Sequence, residues 1–270
     1  MELFFREEGT QGKSIVIVHG LYGSSDNWLT VGKKLGQNYH VYLIDQRNHG
    51  RSPNAPEHSY ELMKEDLAAF FEQNDIDKAI VIGHSMGGKT AMYFAADYPE
   101  KIEKLIIADI APKDYLELGE NSQYYQHKLI LETLIELKNN GANYHSRDEI
   151  AAFLQLKLGD QSLVMFLLKS IYLDKASGMF KCRVNAEVLY DALDEIISGM
   201  NYRWLEDRIP ILGYPVLFIR GAKSNYLTNE DLKLVKTIYP EAQTETIPDA
   251  GHWLHAEQPK LFMDALLRFI

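Results

Sequence analysis

Five short runs of the chain are apolar almost without interruption, and each stops at a glycine or a polar residue. Ser14-Ile15-Val16-Ile17-Val18 ends at His19-Gly20, and His40-Val41-Tyr42-Leu43-Ile44 ends at Asp45. Ala79-Ile80-Val81-Ile82 ends at Gly83, Lys104-Leu105-Ile106-Ile107-Ala108 at Asp109, and Val216-Leu217-Phe218-Ile219 at Arg220-Gly221. Continuous rather than alternating apolarity predicts strands of a parallel sheet covered on both faces. Thr244-Glu245-Thr246-Ile247 is shorter and more polar, which suits an edge strand.

Helical spacing fills the intervals. From Tyr60 to Asn74, residues Leu62, Met63, Leu67, Phe70 and Phe71 form one stripe, with Ser59 placed to cap it. Thr228-Asn229-Glu230-Asp231 opens a helix that runs to Tyr239. A last helix after Pro259 is expected to bury Leu261, Phe262, Leu266, Leu267, Phe269 and Ile270. Strand and helix alternating in this way predict an α/β fold with a doubly wound sheet. Its ligand site lies beyond the carboxyl ends of the strands.

The rhythm changes between Pro112 and Asp207. Tyr124 to Asn139, Ser146 to Leu158 and Ser162 to Leu173 read as amphipathic helices, and Met179 to Val184 as a short extended piece. We read 112–207 as a mostly helical insertion, a lid over the carboxyl edge of the sheet. Residues 1–111 and 208–270 then form the core.

Composition narrows the function classes. With 270 residues, 46% of them hydrophobic, the chain has enough apolar material for one large core with an inserted subdomain. A net charge of −10 argues against nucleic acid and anionic membrane as partners. A lone cysteine, Cys182, expected to be partly buried, rules out an intrachain disulfide and a cysteine metal cluster. The acidic start, Met1 to Glu8, lacks the apolar stretch of a signal peptide, and no segment reaches the ~18 apolar residues of a membrane span. The expectation is a soluble, cytoplasmic protein.

The chemistry gathers at the strand ends. Gly83-His84-Ser85-Met86-Gly87 sits between a strand and a helix, where a serine on a sharp turn is exposed and faces the helix N-terminus. Gly83 and Gly87 let strand and helix pass closely. A serine needs a base. Of nine histidines, His252 in Asp249-Ala250-Gly251-His252-Trp253 follows the last strand and reaches the same edge. His84 should point away from Ser85, His49 and His19 should brace loops, and His255 should be packed or solvated. His40, His58, His127 and His145 offer no evident partner. The base in turn needs an acid to hold its tautomer. The turn after the next-to-last strand, Arg220 to Tyr226, has no carboxylate. Asp109, ending the strand beside the one that carries Ser85, is the better candidate, with Asp114 as the weaker one. An oxyanion needs two donors, and the backbone amides of Met86 and of Leu21 in His19-Gly20-Leu21-Tyr22-Gly23 are placed to supply them. Lys89 in Gly87-Gly88-Lys89-Thr90 has two readings: a surface cation, or a cation that holds the lid.

Taken in order, HGLYGSSDNW, DQRNHGRSP, GHSMGGKTAM, ADIAP and AGHWLHAE resemble the α/β-hydrolases, and within them the small esterases of the YbfF and ABHD11 type. The resemblance spans nearly the whole chain. It implies an α/β-hydrolase fold, Ser85, Asp109 and His252 as a triad, and the Leu21 and Met86 amides as the oxyanion hole. It also implies a supporting role for Ser224 near the catalytic histidine. The lid matches less well, so the acyl preference does not carry over. The expected activity is hydrolysis of small to medium acyl esters through an acyl-enzyme, with no metal or organic cofactor. The same machinery would serve an acyl-CoA thioesterase, for which Lys128, Lys157, Lys169, Lys181 and Arg183 are candidate phosphate contacts. A non-catalytic ligand binder is the remaining class. The lid aromatics Tyr124, Tyr125, Phe153, Phe166, Tyr172 and Trp204 face either pocket or core. Oligomeric state is not readable.

Overall fold

In a computed structural model, residues 1–116, 123–198 and 205–270 are described. Trp204 lies outside them. Five strands come first: β1 (Phe5–Glu8), β2 (Ser14–Val18), β3 (His40–Ile44), β4 (Ala79–His84) and β5 (Ile102–Ala108). A hairpin, β6 (Ile171–Asp174) and β7 (Met179–Cys182), lies in the insertion, and β8 (Val216–Gly221) and β9 (Gln243–Ile247) follow it. The main sheet has the order β1-β3-β2-β4-β5-β8-β9. All its pairs are parallel except β1 with β3. β1 has no counterpart in the apolar pattern, because Phe5-Arg6-Glu7-Glu8 is an edge strand with one apolar residue.

Side chains alternate across the sheet, and both faces are covered. Val16 and Val18 of β2 join one apolar cluster, and Ile15 and Ile17 the other. Helices α2 (Tyr60–Gln73) and α3 (Met86–Asp97) cover the first face through Leu67, Phe70, Met92 and Phe94. Helices α1 (Leu29–Leu35) and, near the C-terminus, α11 (Pro259–Phe269) cover the second through Val31, Leu35, Phe262 and Leu266. Each such side chain stabilises the fold by about 1.5–3 kcal/mol. The N-terminus of α2 is fixed by Ser59, whose Oγ accepts from the Leu62 amide at 3.2 Å. In α11 the buried face is Phe262, Met263, Ala265 and Leu266, while Leu261 and Leu267, expected inside, are 38% and 46% exposed. They sit on the flanks of that face, about 100° per residue from its centre.

Between β5 and β8 the chain leaves the sheet. It forms α4 (Gln123–Asn139), α5 (Arg147–Leu158), α6 (Gln161–Leu168), the hairpin, α7 (Ala186–Asp191) and α8 (Leu193–Ile197). Ser146 caps α5, its Oγ accepting from the Glu149 amide at 3.2 Å. Leu131, Leu134, Ile150, Leu154 and Leu167 join the cluster on the α2–α3 face. The stretch from Ser162 to Leu173, expected as one helix, breaks after Leu168. Its end pairs with Met179–Cys182 around a turn containing Gly178 at φ 69°. The remaining helices are α9 (Asp231–Ile238), α10 (Leu254–Glu257) and α11. No helix among the described residues is long and apolar enough to cross a membrane.

Candidate active site

Pairing register brings the candidate side chains together. His84 lies opposite Ala108, so Ser85 and Asp109 leave adjacent strands at the same level. The Ser85 amide donates to Ala108 O at 3.0 Å, and the Asp109 amide to Ile219 O at 2.8 Å. Both residues turn through the left-handed region, at φ 54° and 53°, a conformation that holds only where surrounding packing imposes it. At Ser85 the packing is visible. A Cβ on Gly83 would collide with the Gly87 and Gly88 backbone, and one on Gly87 with the Val18 and His19 carbonyls. Strand and helix therefore meet tightly enough to push the serine outward.

Asp109 is fully buried. Its Oδ1 accepts from the Gly221 amide at 2.9 Å, and its Oδ2 accepts from His252 Nδ1 at 2.8 Å. Ser224 Oγ also donates to Oδ2. Ser224 thus touches the carboxylate rather than the imidazole, and its Oγ accepts from the Tyr226 amide at 3.2 Å. Donation from Nδ1 leaves His252 Nε2 as the lone-pair nitrogen. Tyr226 stacks on the His252 ring with centroids 3.7 Å apart, and His84 packs 4.7 Å away. His84 Nε2 donates to the His252 carbonyl at 2.8 Å, so His84 holds the loop that carries His252. Asp114 is exposed and engaged with the Leu116 amide, and Asp249 pairs with Lys223.

Ser85 and His252 line one cavity of about 210 Å³, together with Leu21, His127, Phe166 and Trp253. Ser85 Oγ makes no hydrogen bond among the described residues. Such contacts commonly tighten only when substrate is present. A smaller recess beside Ser85 is lined by Met86, Lys89, Tyr115 and Ile197. The Leu21 and Met86 amides donate to no protein acceptor among the described residues.

The loop bearing Leu21 is braced from below. His19 Nδ1 donates to Gly20 O at 2.8 Å, and its Nε2 accepts from the Gln46 amide at 3.0 Å. Gln46 Nε2 returns to His19 O at 2.7 Å, and Thr90 Oγ1 of α3 donates to Gln46 Oε1 at 3.0 Å. Burial holds the His19 imidazole neutral, its pKa pulled down to about 4. Gln46 escaped sequence reasoning although it lies inside DQRNHG, because its partners are 27 and 44 residues away.

Lys89 is buried, which removes the surface-cation reading. Its Nζ donates to Ile197 O at 3.2 Å and to Ser198 O, and lies 4.9 Å from the Tyr115 ring centroid. Desolvation pulls its pKa down to about 7, opposed by Asp114. It therefore ties α3 to the end of α8. Of the four histidines left without an evident partner, three have one among the described residues, while only the main chain of His145 bonds, to Glu149. His40 pairs with Glu7, His58 contacts Asn48, and His127 bonds two tyrosines. His49 Nδ1 donates to Arg47 O at 2.9 Å, and His255 stacks on Trp28. Of the aromatics described in the insertion, Phe166 reaches the cavity, Tyr125 is exposed and Phe153 packs on Tyr144. Lys128, Lys157 and Lys181 pair with Glu132, Glu136 and Asp174.

Residues 13–259 match the family model described as the alpha/beta hydrolase fold. The chain belongs to the α/β-hydrolase family. This α/β-hydrolase is 34% identical to Esterase YbfF of Escherichia coli over 274 residues, covering 100% of this chain and 99% of that protein. It is 31% identical to the sn-1-specific diacylglycerol lipase ABHD11 of Mus musculus, over 95% of this chain and 80% of the mouse protein. A solved structure of a marine microorganism esterase superposes with a TM-score of 0.91 at 43% identity, covering 100% and 99% of the two chains. The α/β-hydrolase described here is an enzyme, a serine hydrolase acting on ester bonds. The thioesterase and non-catalytic readings are not favoured beside relatives of this kind.

Proposed function

We propose that Ser85 is the nucleophile, His252 the general base and Asp109 the residue that orients it, with the Leu21 and Met86 amides as the oxyanion hole. The observation that carries this reading is the 2.8 Å donation from His252 Nδ1, on the cavity that Ser85 also lines, to a fully buried Asp109. With Nδ1–H held by the carboxylate, Nε2 takes the Ser85 Oγ proton as Oγ attacks the acyl carbon. The negative oxygen of the tetrahedral intermediate meets the two free amides. His252 then gives the proton to the departing alkoxide, which leaves as the alcohol. Water, deprotonated by the same nitrogen, attacks the acyl-enzyme and releases the acid, restoring Ser85.

Residues 112–207 serve as the lid, since α4 and α6 bring His127 and Phe166 over the strand ends. A cavity of about 210 Å³ with Leu21, Phe166 and Trp253 on its wall favours esters of short to medium acyl groups. Ser224 supports the acid through its bond to Asp109. Lysines of the insertion that are already paired with acids give little purchase to the phosphates of CoA.

The test is a fluorophosphonate label combined with matched substrates. Labelling of the folded chain is expected to vanish in Ser85→Ala, and p-nitrophenyl esters are expected to turn over faster than the acyl-CoA of equal acyl length. Labelling that persists in Ser85→Ala removes the nucleophile assignment, and a preference for the acyl-CoA removes the substrate class.

A further inference from the structure

The insertion contributes a side chain that bonds a neighbour of the Leu21 amide and a neighbour of the His252 ring. His127, on α4, lies between two phenols that line the same cavity as Ser85. Its Nδ1 is 3.1 Å from Tyr22 Oη, and its Nε2 is 3.1 Å from Tyr226 Oη. Tyr22 follows Leu21 directly, and Tyr226 is the ring stacked on His252.

One protonation pattern satisfies every group. Tyr22 Oη donates to the His127 carbonyl at 3.3 Å. That leaves Tyr22 Oη to accept from His127 Nδ1–H, and His127 Nε2 to accept from Tyr226 Oη–H. A neutral imidazole, with one donor and one acceptor, fits this slot. Burial, reinforced by the neighbouring His252, pulls the His127 pKa down to about 4 and keeps the ring neutral near pH 7.

Both tyrosines need holding. Tyr22 sits at φ 63°, a strained conformation for a bulky residue, which the surrounding contacts must impose. Tyr226 is pinned at its backbone, where its carbonyl accepts from Tyr115 Oη and from the Ala111 amide. Its ring stacks on His252, and its hydroxyl is held by His127 Nε2 at 3.1 Å.

We propose that His127 is a positioning residue for ester hydrolysis, through which the seated α4 helix fixes the oxyanion loop by way of Tyr22 and the His252 ring by way of Tyr226. This rests on the assignment of Ser85 and His252 above. His127 bonds no group of the acid–base pair itself. It acts on turnover through the two tyrosines, and removing it costs the transition state more than substrate binding.

The test uses the full chain with p-nitrophenyl acetate. His127→Phe removes both hydrogen bonds, and kcat is expected to fall about 10- to 100-fold with KM changed little, as the loss of two neutral hydrogen bonds predicts. His127→Gln keeps one donor and one acceptor and should recover most of the lost kcat. In a double-mutant cycle with Tyr226→Phe, which preserves the stacked ring, the combined loss should be smaller than the sum of the single losses. Thermal unfolding checks that each variant is folded. If His127→Phe does not fold, His127→Gln and Tyr226→Phe decide alone. Gln at or near full kcat with a measurable loss in Tyr226→Phe supports the proposal, and any other result overturns it. Wild-type kcat in His127→Phe, a loss confined to KM, no rescue by Gln, or additive effects with Tyr226→Phe would each overturn it. Ser85→Ala in parallel separates the two claims. Turnover that survives there removes the nucleophile assignment. A silent Ser85→Ala beside a normal His127→Phe removes only the role of His127.

Discussion

Strands β4 and β5 deliver Ser85 to the cavity and Asp109 behind it on left-handed backbone, at φ 54° and 53°, whereas α4 and α6 bring His127 and Phe166 to the cavity on regular helix. The first wall is held by packing of main chain on main chain. Gly83 and Gly87 touch neighbouring backbone, and the Ser85 and Asp109 amides continue the sheet. The second wall is held by side chains, namely His127 on two tyrosines, Phe166 against Trp253, and Lys89 on the carbonyls that end α8. The proposed nucleophile and its acid sit on main chain packed against main chain. The groups on the insertion sit where single side chains decide the fit.

The sharpest way to break this contrast is at Asp109. Asp109→Asn should lower kcat by roughly 10⁴-fold, because an amide favours the wrong imidazole tautomer, as the same change does in serine proteases. Steady-state kinetics with a small acyl ester measures it, and near-normal turnover would remove Asp109 as the orienting acid. Ser224→Ala, which leaves the His252–Asp109 bond intact, should cost only about 10-fold, the weight of one charged hydrogen bond.

Stability sharpens the same comparison. Ile107, fully buried on β5, should cost about 2–5 kcal/mol when changed to Ala, whereas Leu156, 84% exposed on α5, should change stability by less than about 0.5 kcal/mol. Urea titration of the two variants reads both, and equal losses would mean that the insertion packs as tightly at its surface as the sheet does inside.

Acid should act on the buried histidines. Burial pulls the pKa values of His19 to about 4, His49 to about 3 and His255 to about 3, and holds His84 well below its ordinary value. Unfolded histidines titrate near 6.5, so the unfolded chain binds more protons than the folded one between the two values. The stabilisation from keeping these rings neutral is complete above about pH 6.5 and is lost as pH falls toward 4 and 3. Lys89 acts in the same sense over a higher window, from about 10.5 down to about 7. The melting temperature should therefore drop by several degrees between pH 7.5 and 5. A flat profile would mean that these rings are solvated.

The contrast between the walls is also a contrast in legibility. β2 and β3 fall where the apolar runs lie, and β9 at the edge where its polarity puts it. That Ser85, Asp109 and His252 meet at one end of the sheet is legible because each follows a strand in a parallel sheet, and parallel strands end on one side. β1 was not readable, since a four-residue edge strand needs only backbone pairing and carries no apolar signature. The hairpin after α6 was hidden because Ile171 and Leu173 extend the apolar spacing of the helix. The turn before Gly178 is the signal that could have separated them. His127 had no local signal at all. Its partners are 105 and 99 residues away, and nothing in the sequence around it marks a polar contact.

The central claim is that Ser85 carries the acyl group during turnover. Mixing excess p-nitrophenyl acetate with the enzyme and quenching in acid on the millisecond scale should trap one acetyl group per chain, on the peptide that contains Ser85. The adduct should be absent in Ser85→Ala. Steady turnover with the acetyl group on another residue, or an undiminished rate in Ser85→Ala, would contradict the account.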